Sequence, residues 1–92
     1  MKKFEYKVPG GKLLRAKIEA ENGRIEFLQI TGDFFMEPET DLEELEAQLR
    51  NSKTDPQNVE SIVTKFFTDR KTLITGAKPS DFAYVINQAL KA

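Results

Sequence analysis

The chain has 92 residues, 39% of them hydrophobic and seven of them Phe, with a formal net charge of −1. That length supports a single domain, residues 1–92, whose apolar content suffices for one core and is too high for a disordered tail. There is no Cys and no His, which excludes disulfides, thiol nucleophiles, Ser-His or Cys-His pairs and thiolate or imidazole metal sites. Carboxylates, Lys, Tyr and hydroxyls are the acid–base groups that remain. No apolar run approaches a membrane span, and Met1-Lys2-Lys3-Phe4-Glu5-Tyr6 alternates charge with aromatics rather than forming a signal peptide. The chain therefore reads as soluble and cytoplasmic, without membrane association.

Charge is unevenly spread. Residues 1–17 hold six cations against Glu5 alone, a balance of +5, and residues 33–46 hold seven acids and no cation, a balance of −7. Such a dipolar surface can orient an encounter with a charged partner. Ordinary solvated faces of a strand and a helix give the same pattern.

In chain order, Phe4, Tyr6 and Val8 alternate with Lys3, Glu5 and Lys7, the period of a half-buried strand. Pro9-Gly10-Gly11 is a turn. A three-residue loop sets Tyr6 opposite Leu14 and Phe4 opposite Ala16, and Leu14, Ala16, Ile18 and Ala20 then share one face of a second strand. Asn22-Gly23 suits a type I′ turn. A plain two-residue loop there pairs Ala20 with Ile25 and Ile18 with Phe27, and brings Glu19 opposite Glu26. The third strand, about 24–31, then carries Leu28 and Ile30 on its second face, which implies that this face is partly covered.

Beyond Gly32 the pattern becomes helical. Thr40 followed by Glu43 has the form of a capping box, ahead of a helix with Leu42, Leu45 and Leu49 on one stripe and an end near Arg50. Asn51 to Thr54 is a loop. Asp55-Pro56 opens a second helix with Val59, Ile62, Val63, Phe66 and Phe67 inward. Thr68 to Pro79 reads as a connection anchored by Leu73 and Ile74. Ser80 caps a last helix with Phe82, Val85, Ile86, Ala89 and Leu90 inward. The order βββααα predicts an α+β fold, a three-stranded antiparallel sheet with three helices on one face.

The segment Thr31-Gly32-Asp33-Phe34-Phe35-Met36 fits a bland reading least well. Two adjacent Phe residues outside a helix cannot easily enter the same core, so one of them is a candidate anchor for a partner. Spacing alone favours the alternative, in which Phe34 caps the sheet and Phe35 packs under the first helix. Asp41, Glu43, Glu44 and Glu46 lack the spacing of a calcium loop and read as a solvated helix N-terminus. Pro9-Gly10-Gly11-Lys12 precedes a strand rather than a helix, so it reads as a turn rather than a phosphate cradle. The basic N-terminus with Phe4 and Tyr6 raises nucleic-acid binding, but those aromatics alternate away from the lysines. No catalytic residue and no metal ligand is assigned.

Ile30-Thr31-Gly32-Asp33-Phe34-Phe35, Pro38-Glu39 and the Leu42-Glu43-Glu44-Leu45-Glu46 helix resemble the C-terminal accessory domain of lipoate–protein ligases. The Pro9-Gly10-Gly11-Lys12-Leu13-Leu14 hairpin, the Asn22-Gly23 turn, Ile74-Thr75-Gly76 and Ser80-Asp81-Phe82 fit the same family, so the likeness spans nearly the whole chain. Lipoate–protein ligases activate lipoate with ATP to lipoyl-AMP and transfer the lipoyl group to a lysine of an acceptor domain. The resemblance implies a chain with no catalytic activity alone that is a required component of the ligase complex. Lipoate, ATP and Mg are then handled by a larger catalytic subunit, bound as a heterodimer, and the lipoyl acceptor domains are indirect partners. The Arg-Arg and triple-glycine signature of that larger subunit is absent here.

A chain that opens with Met1 and stops just after its last helix matches the form in which the accessory domain is a separate polypeptide; an excised domain reads the same way. The family's fold is similar to iron–sulfur scaffolds of the SufE/NifU type, whose cluster chemistry needs the cysteines this chain lacks. On this resemblance Gly32, Asp33, Phe34 and Phe35 are expected to face the catalytic subunit, the basic first strand being the other candidate surface. A generic adaptor or homodimer and a nucleic-acid-binding module are the remaining function classes.

Overall fold

The computed structural model describes all 92 residues. Strand β1 (Lys2–Lys7) and strand β2 (Leu13–Glu21) form an antiparallel hairpin in the expected register, with Tyr6 opposite Leu14 and Phe4 opposite Ala16. Its turn is closed by backbone bonds from Gly11 N–H to the Val8 carbonyl, 2.8 Å, and from Val8 N–H to the Lys12 carbonyl, 3.1 Å. Strand β3 (Arg24–Gly32) returns beside β2 through Asn22 and Gly23, both at positive φ as a type I′ turn requires.

The second hairpin departs from the expected register. Ala20 does face Ile25, but Glu19 faces Phe27 and Ile18 faces Leu28, so Glu26 is an extra residue without a partner on β2. This bulge shifts the side-chain alternation by one position. Leu28 and Ile30 consequently join Ile25 in the core instead of lying on the outer face, and Glu19 escapes a like-charge partner.

After β3 comes strand β4 (Phe35–Glu37), which the sequence pattern did not show; three residues are too few to express a period. Helix α1 (Thr40–Leu49) lies against β3 and β4. The expected Thr40 capping box does not form: Thr40 is already helical, and Asp41 and Leu42 N–H donate to the carbonyls of Pro38 and Glu39. Helix α2 (Pro56–Arg70) begins with Pro56 as expected and ends on Lys71, whose left-handed backbone lets its N–H reach the Phe67 carbonyl. Strand β5 (Leu73–Thr75) follows and pairs antiparallel with β4, again beyond what the sequence pattern showed. Helix α3 (Pro79–Lys91) starts one residue before the expected cap Ser80; Asp81 accepts the Lys78 N–H at 2.8 Å.

The three-stranded sheet has the order β1-β2-β3, with α3 across β1 and β2, α1 beside β3 and α2 packed on α1 and α3. One cluster of 19 buried apolar residues joins them. Phe4 and Tyr6 face α3, where Tyr6 and Tyr84 have ring centroids 4.7 Å apart. The other sheet face has no helix on it and displays Lys3, Glu5, Lys7, Arg15 and Lys17. Lys3 stands directly opposite Lys17, while Arg15 pairs with Glu5 at 2.6 Å.

Candidate functional site

Gly32 ends β3 where no other residue fits: a Cβ there would lie 2.1 Å from the Leu13 carbonyl oxygen. The chain then turns through Asp33, whose N–H donates to that carbonyl at 3.1 Å, and enters β4. Pairing of Phe35 with Thr75, Met36 with Ile74 and Glu37 with Leu73 fixes which side chains turn inward. Met36 is buried and Ile74 packs on the core, so Phe35, Glu37, Leu73 and Thr75 share the outer face of a two-stranded ribbon.

The two adjacent Phe residues therefore part company. Phe34 packs against the core with its ring 5.1 Å from that of Phe82, edge to face. Phe35 is 73% exposed, and Leu73, diagonal to it on the same face, is 68% exposed. The alternative in which Phe35 lies under the first helix does not hold, and Leu73 is not the core anchor its hydrophobicity suggested; Ile74 alone fills that role. Of Gly32, Asp33, Phe34 and Phe35, Phe34 alone packs against the core, and Phe35 is the one large apolar side chain left exposed. Sequence reasoning missed Leu73 as a member of this face, because β5 is needed to place it there.

An open groove with a volume of about 520 Å³ lies between the end of β3 and β4. Ile30, Phe34, Met36 and Leu42 contribute apolar surface, and Glu37 and Glu39 stand at its rim. It is a shallow apolar trough without converging acid–base groups, so it suits contact with a macromolecular surface better than enclosure of a small reactant.

The acidic segment around α1 is not the uniformly solvated run its composition suggests. Asp41 is only 4% exposed and accepts hydrogen bonds from Arg70 at 3.1 Å and from Thr72 Oγ1 at 2.5 Å, tying α1 to the α2–β5 connection. Arg70 also lies over the Phe66 ring, 4.9 Å from its centroid. Glu46 Oε2 accepts the Ile30 N–H at 2.7 Å and so covers part of the outer edge of β3. Burial holds the Glu46 carboxyl above its ordinary pKa, against the opposing pull of that N–H and of Arg50. Glu43, by contrast, is exposed and has no ion-pair partner within 4.0 Å. No helix is long and apolar enough to cross a membrane.

Fold and surface together define a small α+β domain whose distinguishing feature is an exposed apolar ribbon beside an open groove. Residues 2–86 match the family model for the bacterial lipoate protein ligase C-terminus, and the chain belongs to that family. It is 33% identical over 70 residues to lipoate-protein ligase A subunit 2 of Thermoplasma acidophilum, an alignment covering 76% of this chain and 71% of that protein. It is also similar to a chain from the structure of an archaeal lipoylation system of the same organism, described as a bi-partite lipoate protein ligase and its E2 lipoyl domain. That superposition has a TM-score of 0.76 at 29% identity and covers 92% of this chain and 90% of the other.

Proposed function

We propose that this chain is the accessory subunit of a two-part lipoate–protein ligase. It docks on a larger catalytic subunit and enables the ATP-dependent activation of lipoate to lipoyl-AMP that precedes transfer to a lipoyl acceptor domain. The observation that carries the reading is the outward Phe35–Leu73 pair on the β4–β5 ribbon, in a chain of this family. Two large apolar side chains held outward on paired strands lose little conformational freedom on binding, which favours them as interface anchors. Membership of a two-subunit ligase in the archaeal relative supports the same assignment.

In this account the chain contributes no reacting group. Lipoate, ATP and Mg stay with the catalytic subunit; the accessory chain orders that subunit's loops around them and keeps water out. The test is lipoyl-AMP formation by the catalytic subunit of the same organism with and without this chain. Adenylation that depends on adding the chain supports the proposal. A catalytic subunit that is fully active alone and does not bind the chain refutes it, and leaves an adaptor role.

A further inference from the structure

The groove beside Phe35 has one polar wall whose chemistry is specific. Asp33 N–H donates back to the Leu13 carbonyl, which makes Leu13 and Asp33 a hydrogen-bonded pair of the β2–β3 ladder. By antiparallel alternation Gly32, opposite Leu14, is then a non-hydrogen-bonded position, and so is Ile30, opposite Ala16. Both residues direct N–H and C=O away from β2, and the bond from Ile30 N–H to Glu46 shows that direction independently.

Part of this edge is closed. The Asn51–Thr54 loop covers its first end through bonds between Ile25 and both Ser52 and Asn51, and Glu46 takes the Ile30 N–H. The outward groups of Leu28, the Ile30 carbonyl and both backbone groups of Gly32 stay without a protein partner, and those of Ile30 and Gly32 lie at the groove. A free edge of that length offers pairing to two or three residues of an added strand. Opposite it stand Phe35 and Met36, so the same trough offers apolar contact to the side chains of an extended segment.

Charge selects among such segments. Glu37 and Glu39 line the groove, both exposed and neither with a cation within 4.0 Å. None of the residues lining the groove is basic, so its rim is acidic.

We infer that this groove receives an extended segment of the larger ligase subunit in which a bulky apolar residue is flanked by Lys or Arg. The segment pairs with the open edge at Gly32, sets its apolar side chain against Phe35 and Met36, and places its cation beside Glu37 and Glu39. This inference rests on the docking function proposed above and states how the docking is made.

Titration of the catalytic subunit with wild-type chain and with variants, followed by calorimetry, separates the two claims. Phe35→Ala removes an exposed ring, leaves the core untouched, and is expected to weaken binding at least about tenfold. Paired Glu37→Lys and Glu39→Lys changes are expected to weaken it by about tenfold at 50 mM salt and by less than about twofold at 1 M salt. Amide exchange at Gly32, read by NMR in the free chain and the complex, is expected to slow on binding. Wild-type binding with unchanged Gly32 exchange and indifference to all three substitutions overturns the groove assignment and leaves the accessory function standing. Absence of wild-type binding overturns both. Self-association of the chain that Phe35→Ala abolishes identifies a second copy as the occupant, and likewise overturns the assignment.

Discussion

Asp41 and Glu46 are carboxylates from one acidic stretch that contribute to stability in different ways. Asp41 is buried against Arg70 and Thr72, so Asp41→Ala leaves two donors without their acceptor. The expected loss is about 2–3 kcal/mol in urea denaturation, larger than for truncating an exposed acid such as Glu43. Glu46 behaves differently because burial raises its pKa above 4.5. The native state then holds more protons than the unfolded chain between 4.5 and the raised value, so this residue's contribution falls as pH rises through that window. Glu46→Gln keeps an acceptor for the Ile30 N–H without the charge, and should flatten that part of the stability curve while matching or exceeding wild type at pH 7. Glu46→Ala removes the acceptor and should cost about 1–3 kcal/mol. Equal losses in the two variants would mean that charge, not the hydrogen bond, secures this edge. Neither role was legible in the sequence, since Asp41 lies 29 positions from Arg70 and Glu46 lies 16 from Ile30, distances over which local periodicity carries no information.

At the level of the elements, the first hairpin was readable because a period-two pattern and a Pro-Gly-Gly turn agree on one register. The second contained its own warning: Ile25 and Phe27 have one parity and Leu28 and Ile30 the other. Assigning the two sets to opposite faces was the simpler solution, and the bulge at Glu26 is the one the chain adopts. The bulge predicts an asymmetry between deletions. Removing Glu26 restores a regular ladder with Ile25, Leu28 and Ile30 still inward, so the variant should stay folded, with a stability loss below about 2 kcal/mol. Removing Gln29 turns Ile30 outward or forces the ladder to slip, and should unfold the domain. Circular dichroism and urea titration of the two purified deletions decide between these outcomes; the reverse order would contradict the assigned register. The β4–β5 ribbon was out of reach for a different reason. Each strand has three residues, and their pairing joins positions 36 to 40 apart across two helices. The candidate site was therefore half visible: the Phe34-Phe35 pair announced itself, but which ring faces solvent, and that Leu73 joins it, follow only from the ribbon.

Across the whole molecule, two surfaces compete for the role of contact face: the acidic-rimmed ribbon with Phe35 and the uncovered basic sheet. Lys3 and Lys17 stand opposite each other without an acidic partner within 4.0 Å, a repulsion that Lys3→Glu converts to attraction. The variant should gain about 0.2–1 kcal/mol of stability and should bind the catalytic subunit as wild type does. Lost binding in a stabilised Lys3→Glu protein would move the interface to the sheet. On the accessory function proposed above, the chain's effect on lipoate activation is expected to be one of occupancy. The most direct test is the rate of lipoyl-AMP formation by the catalytic subunit as wild-type or Phe35→Ala chain is titrated in. The account predicts a saturable rise whose half-saturating concentration increases in the variant while the plateau is unchanged. A rate independent of the chain, or a lowered plateau at unchanged half-saturation, would contradict it, the latter by placing Phe35 in the reaction rather than in the contact.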